Sequence, residues 1–470
     1  MLWKYFTLSV CLFACVAANA APNNTFVYGK VTNLQNPKVY LFKELAFTQN
    51  GWPVLDSTMC DRSGNYRFAL NLENALVGAV SCSGRSVRVF LSPGDSLRLD
   101  FDVNAFPQSV SFAGKGGNEN SFYLTYRQRF TGALPQQKMY GSRPAYLLFI
   151  SDSLYAAAGA EFQKTFAEQK ANPNFEAFLS QKAMYFSAAR KLQFPVFQRF
   201  VQRADSNEAR IDTGYYAFLR SVPFENPVAH YTDTYADFLY WYYKVRAYEA
   251  LNTKAFETDA SILNKQAELA AKELQGKALE IALAAIAVKM FDNNQVSNAA
   301  NVIEQLKQRG ASVETVQWLD ARFEKMSHLA VGALAKDFAL ADSSGKQISL
   351  SSLRGKVVYI DFWASWCGPC RKEMPHSRQL MEKLKNEPVT FLFVSIDEKP
   401  DAWRKAMAQE KLGGVHLLDN RGWQSPVLAD YNFRSIPHYV LLDKDGKMVN
   451  PDAPRPSAAY DAIKALLERK

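Results

Sequence analysis

The chain has 470 residues, 48% of them hydrophobic and 21% charged, with 55 Lys+Arg against 46 Asp+Glu and a formal net charge of +9. Such a composition belongs to a soluble globular protein and excludes a disordered, collagenous or polytopic membrane chain; the length suggests about three domains. The basic excess is thin, and no run of five or six basic residues concentrates it, so nothing supports nucleic-acid binding. The six cysteines (Cys11, Cys15, Cys60, Cys82, Cys367 and Cys370) are too few for a disulfide framework.

Residues 1–20 read as a secretory signal peptide. Lys4 gives a positive start, a mostly apolar stretch runs from Tyr5 to Ala17, and Ala18-Asn19-Ala20 forms an A-x-A cleavage site. The apolar run falls short of the roughly 20 residues that span a bilayer. The expected product is a cleaved, exported chain in the periplasm or cell envelope. A lipid anchor on Cys15 is the alternative, because Leu12-Phe13-Ala14-Cys15 loosely resembles a lipobox, although Phe13 is bulky there. Cleavage removes Cys11 and Cys15 and leaves four cysteines where disulfides persist.

Residues 21–113 are expected to form an all-β domain. Phe26–Val31, Lys38–Phe42 and Val87–Leu91 mix β-branched and aromatic residues. Turn signals at Arg62-Ser63-Gly64-Asn65 and Ser92-Pro93-Gly94-Asp95 precede Tyr66–Phe68 and Leu97–Leu99. The pattern predicts a small antiparallel domain. Asp56-Ser57, Gly64-x-Tyr66-x-Phe68 and the Ser92–Leu97 turn resemble the β-rich module of unknown function that precedes thioredoxin modules in some bacterial envelope proteins. A Cys60–Cys82 structural disulfide and two unpaired thiols are both open.

Gly114–Gly117 reads as a linker to an α-helical region over 118–328. Apolar residues recur at helical steps through Lys265–Phe291, and a further helix through Val302–Leu306 is closed by Arg309-Gly310. The run Ile281–Val288 stops at Lys289, too short for a membrane span. Phe238–Tyr243 is read as helix-core packing rather than a partner surface, since large aromatics are usually buried.

Residues 333–470 alternate strand and helix signals. A hairpin is expected around Asp342–Gly345, strands over Val357–Phe362, Thr390–Ile396 and His438–Leu442, and helices over Arg371–Lys385, Pro400–Glu410 and Ser457–Arg469. This order implies a mixed sheet covered by helices.

Cys367-Gly368-Pro369-Cys370 sits at the junction of a buried strand and a helix. The first helical turn offers unpaired N–H groups and the positive end of the helix dipole, which favour a thiolate. The thiolate is the nucleophile of disulfide exchange. Pro369 suits the first turn, and Gly368 leaves the approach to the first sulfur clear. A structural zinc site needs four ligands, and no second CxxC or His pair supplies them. Haem attachment needs His after the second Cys, where Arg371 stands.

The run Phe362-Trp363-Ala364-Ser365-Trp366-Cys367-Gly368-Pro369-Cys370-Arg371-Lys372-Glu373-Met374-Pro375 resembles the active site of thioredoxin-like thiol:disulfide reductases, closest to the secreted TlpA/ResA type. Ala335–Phe338, Gly355–Val358, Ser435-Ile436-Pro437 and Leu441–Lys447 resemble further family motifs in family order. The resemblance covers roughly the last 140 residues, the size of one domain. It implies an α/β thioredoxin-like C-terminal domain and an oxidoreductase without cofactor. Cys367 is the expected nucleophile, Cys370 the resolving thiol, and the Cys367–Cys370 bond redox-active. Asp361 matches the family's buried acid and Glu373 the acid after the motif, both expected to tune the pair, although a structural acid and a helix-surface charge would look the same in sequence. Pro437 is expected to be cis, with the Ile436 backbone, Trp366, Gly368 and Pro369 at the substrate. Trp363 matches a position framing the site. His438 replaces the Thr common after this proline. It is either a pH-responsive group or an ordinary strand residue.

The resemblance also implies the reducing direction, because Gly368-Pro369 and Ile436-Pro437 match reducing members of the family rather than oxidising ones. The partners implied are disulfide-containing proteins, apocytochrome c among them, and a membrane electron donor. Two other readings compete. A thiol peroxidase shares the broader fold but carries its reactive Cys in a different motif. A non-catalytic envelope binding protein with an accessory redox pair would explain why two thirds of the mature chain lies outside the redox module.

Overall fold

The computed structural model describes residues 24–48, 51–131, 144–201, 213–251 and 259–468. The signal-peptide reading, with Cys11 and Cys15, lies outside them.

The chain divides into two compact units. The first holds β1 (Thr25–Thr32), β2 (Lys38–Lys43), β3 (Val54–Met59), β4 (Asn65–Leu70), β5 (Leu76–Cys82), β6 (Arg85–Leu91), β7 (Ser96–Asp102), β8 (Ser111–Lys115) and α1 (Gly117–Tyr126). It also takes Ala158–Ala177, the end of α2 (Pro144–Thr165) and the start of α3 (Pro173–Val201). The strands form two four-stranded sheets, ordered β4-β1-β7-β8 and β3-β2-β5-β6. Alternate residues of β1 and β4 are buried, as a half-buried strand requires. Their inward side chains, Val27, Val31 and Phe68, meet Val39, Leu41, Val80 and Val89 of the other sheet in one core.

The domain is not wholly antiparallel: β1 and β7 run parallel. Gly64, with φ +85°, closes the turn before β4, where a Cβ would meet Val31 O at 2.2 Å. The Gly114–Gly117 stretch is no linker. It ends β8 and opens α1, which is docked on β6 because the Asn120 amide donates to Phe90 O at 2.8 Å and accepts from Phe90 N at 2.8 Å.

Of the two readings left open for Cys60 and Cys82, the structure shows the second: both are free thiols. Strand β2 lies between β3 and β5, so two strand spacings, roughly 9–10 Å, separate them. A disulfide bridges Cα atoms less than about 7 Å apart. Burial, then the nearby Cys82 and Asp61, push the Cys60 thiol up to about 11.

The second unit contains most of the helical region and the C-terminal module. Its helices include α4 (Asp233–Leu251), α5 (Asp259–Glu273), α6 (Gly276–Asp292), α7 (Val296–Gln308) and α8 (Val313–Met326), each packed on its neighbour in sequence. The stretch Lys265–Phe291 is two helices, broken at Leu274-Gln275 before Gly276 with φ +54°. Ile281–Val288 is buried throughout α6, and Phe238, Tyr240 and Tyr243 of α4 are core residues. No helix of the described residues is long and apolar enough to cross a membrane.

The module is a seven-stranded mixed sheet ordered β10-β9-β13-β12-β11-β14-β15. The strands are β9 (Ala339–Ala341), β10 (Gln347–Ser349), β11 (Val357–Trp363), β12 (Val389–Ser395), β13 (Val415–Leu418), β14 (His438–Leu442) and β15 (Met448–Asn450). The helices are α9 (Gly368–Lys383), α10 (Pro400–Glu410), α11 (Pro426–Asp430) and α12 (Tyr460–Leu467). Strand β11 is buried along its whole length between parallel β12 and antiparallel β14. Its residues share one continuous core with those of α4 to α8.

Candidate active site

Strand β11 delivers the chain to the C-terminal end of the central strands, and four residues after its last residue, Trp363, Cys367 caps α9. The cap is made by sulfur: Cys367 Sγ accepts the Cys370 N–H at 3.1 Å. Pro369 follows in the first turn, where its missing N–H costs nothing. Cys367 and Cys370 are joined as a disulfide. Both are buried, Cys367 at 4% and Cys370 at 1% exposure, while Trp366, Gly368 and Pro369 around them are exposed. A Cβ on Gly368 would meet no atom within 4 Å, so the approach there is open.

The Ile436–Pro437 bond is cis, and Ile436 O lies 3.8 Å from Cys367 Sγ. The structure therefore brings Cys367, Cys370, Ile436 and Pro437 together.

Asp361 and Glu373 form a second group. Asp361 is 2% exposed on β11, and its Oδ1 has no hydrogen-bond partner among the described residues. Burial, then the charge of Glu373, raise its carboxyl well above the usual range. Glu373 Oε1 pairs with Arg455 at 3.2 Å, and its Oε2 is buried without a partner among the described residues. Tyr439 pairs in register with Asp361, and burial and that carboxyl push its phenol up. Trp363 is buried, whereas Trp366 is 59% exposed.

His438 is a buried strand residue, stacked on Phe433 with ring centroids 4.5 Å apart. Burial holds its imidazole below the ordinary value, against the pull of Asp452, whose Oδ1 lies 3.8 Å from Nδ1.

Three neighbours escaped the sequence reading. Asp397 accepts from Ser365 N at 2.8 Å and Ser365 Oγ at 2.6 Å, fixing the turn that leads into Cys367. An acid just past an apolar strand, at the end where α/β sites gather, was the available signal. Trp423, 47% exposed, stands 6.4 Å from Trp366 between ring centroids. Arg455 reaches Glu373 from 82 residues away, and no local pattern announces it.

Residues 330–459 match the family model described as Redoxin. The thiol-disulfide oxidoreductase ResA of Bacillus cereus is 33% identical over 127 residues, 27% of this chain and 72% of the relative. ResA of Bacillus subtilis is 32% identical over 130 residues, covering 28% and 71%. The solved thioredoxin domain of a Bacteroides vulgatus thiol-disulfide oxidoreductase is 29% identical, covering 30% of this chain and 99% of that one at a TM-score of 0.28. The family model and the two ResA relatives define a thiol:disulfide oxidoreductase with a thioredoxin-like C-terminal domain. The chain belongs, through that domain, to the ResA family.

Proposed function

We propose that this protein is an exported reductase of protein disulfides, with Cys367 as nucleophile and Cys370 as resolving thiol. The observation that carries the reading is the seating of Cys367. Its sulfur caps α9, accepts the Cys370 N–H at 3.1 Å and lies 3.8 Å from Ile436 O. A helix N-terminus stabilises a thiolate at that point.

In the reduced enzyme the Cys367 thiolate attacks one sulfur of a substrate disulfide. That S–S bond breaks, a mixed disulfide forms, and the other substrate sulfur leaves as thiolate. Cys370 then gives its proton to the Asp361–Glu373 pair and attacks Cys367 Sγ. The Cys367–Cys370 bond closes and the second substrate sulfur is released, so two electrons pass to the substrate. A carboxyl whose ionised form is costly is a strong acceptor once ionised, which suits Asp361 to that transfer. The Ile436 backbone takes the substrate as an added strand. Trp366, Gly368, Pro369 and Pro437 frame it.

Export rests on the pattern of residues 1–20. A reductant in an oxidising compartment needs a membrane electron donor, and resemblance to reducing relatives extends the substrate class to apocytochrome c. The test is trapping. A Cys370→Ala variant lacks the resolving thiol and should accumulate mixed disulfides through Cys367, identified by mass spectrometry. Their absence in cells, or insulin-disulfide reduction surviving in Cys367→Ala, sinks the mechanism.

A further inference from the structure

A cleft of about 650 Å³ opens where the helices meet the loop that carries Pro437. Ser435, Pro437 and His438 lie on one side; Asp237 and Tyr240 of α4 and Lys289 of α6 lie on the other. The cleft continues the sulfur site directly. Ile436 O is 3.8 Å from Cys367 Sγ, and the residues on either side of Ile436 both line the cleft.

The two walls are tied to each other. Asn432 Nδ2 donates to Phe291 O at 3.1 Å and Asn294 Oδ1 at 2.6 Å, and Asn294 Nδ2 donates to Tyr431 O at 3.3 Å. These bonds join the end of α6 to the segment that leads into Ile436. The gap between the walls is therefore a fixed feature of this unit.

Most charges along the cleft are matched from within. Asp292 holds Arg322 at 2.7 Å and Lys289 at 3.5 Å, and Asp233 holds Lys182. Asp237 differs. It is exposed to solvent and makes no hydrogen bond or ion pair with another described residue. The protein crowded around it, then the charge of Asp233, push its carboxyl up to about 6 against the weaker pull of Lys289, Arg190 and Lys182, none of which reaches it directly. An incoming cation would relieve that repulsion. On the loop side Arg434 is exposed, so peptides of both signs are needed to separate the two charges.

We propose that this cleft is the second half of the substrate groove, in which the polypeptide carrying the target disulfide runs on from Ile436 and sets a Lys or Arg side chain against Asp237. The inference rests on the disulfide-exchange reading above and adds the helical region to substrate choice. Asp237 is a specificity residue in this scheme and takes no part in the bond exchange.

The test uses the full chain, reduced beforehand. It is mixed with disulfide-bonded peptides bearing Lys, Gln or Glu at successive positions on each side of the target cysteine. The exchange balances as enzyme dithiol plus peptide disulfide giving enzyme disulfide plus two peptide thiols. One Lys position should react fastest with the wild type. Asp237→Asn should slow that peptide about three- to tenfold, the range of a modest ion pair. Asp237→Glu should keep most of the rate. Gln peptides and the small disulfide DTNB should react unchanged with both variants, which also shows the dithiol site intact. Equal wild-type rates for Lys and Gln at every position overturn the proposal, as does an Asp237→Asn effect that is absent or the same for all peptides. A wild type that reacts with no disulfide at all overturns instead the exchange reading on which it rests.

Discussion

Asp361 is a carboxyl whose ionisation the fold opposes. Its native pKa is raised, so between the unfolded value near 3.9 and the raised value the native state binds more protons than the unfolded one. Stability must then fall as pH rises through that window. Asp361→Asn should flatten that fall and raise stability at pH 7–8 by about 1–3 kcal/mol, the cost of a buried group left unsatisfied. The same variant should slow release of the trapped mixed disulfide. Denaturant titrations at pH 5 and pH 8 check the first effect; equal gains at both would refute it. The Asp361 position was legible because it lies inside a motif strand. Its pairing with Glu373, and the hold of Arg455 on Glu373, were not, since 82 residues separate that ion pair. Cys60 and Cys82 show the same limit: whether two thiols meet depends on which strand lies between them.

Glu280 joins two helices. Burial raises its carboxyl, but hydrogen bonds from Lys277, Ser312 and Thr315 outweigh that and hold it below the usual range. Ser312 caps α8, and Glu280 accepts from its N–H at 3.1 Å and its hydroxyl at 2.6 Å. A lowered pKa gives stability that is present above the unfolded value near 4.3 and lost as pH falls through the native one. Glu280→Gln should therefore destabilise by about 1–3 kcal/mol at pH 7 and by less near pH 4, read by thermal melts at both. Elements with clear periodicity were legible: β1, β2, β4 and most of the C-terminal module. Strand β3 was not, because Val54, Leu55 and Met59 are exposed and leave no alternation. Strand β5 was missed for the opposite reason, being buried on nearly every residue. The break between α5 and α6 sits in a stretch whose apolar spacing continues across it.

For the whole molecule, the signal pattern and the cysteine inventory give one joint expectation. Protein recovered from the cell envelope should begin at Ala21, carry one disulfide at Cys367–Cys370, and alkylate at two thiols, Cys60 and Cys82, once unfolded. Intact-mass spectrometry after alkylation reads all three. A lipid mass on Cys15 or no alkylated thiol would contradict them. The C-terminal domain was legible as a class because its motifs recur in order. The division into two units was not, because helices that look alike in sequence are shared between them.

The continuous core of the second unit draws on residues from Leu45 to Ile463. Such a core cannot close until the chain has been made through its last contributor. Helices α4 to α8 leave the ribosome long before β11 to β15 arrive to cover them, so their apolar faces must be shielded in the interval. A folding defect in this protein should therefore surface late in synthesis. The redox motif, buried in that same core, is among the last parts to take shape.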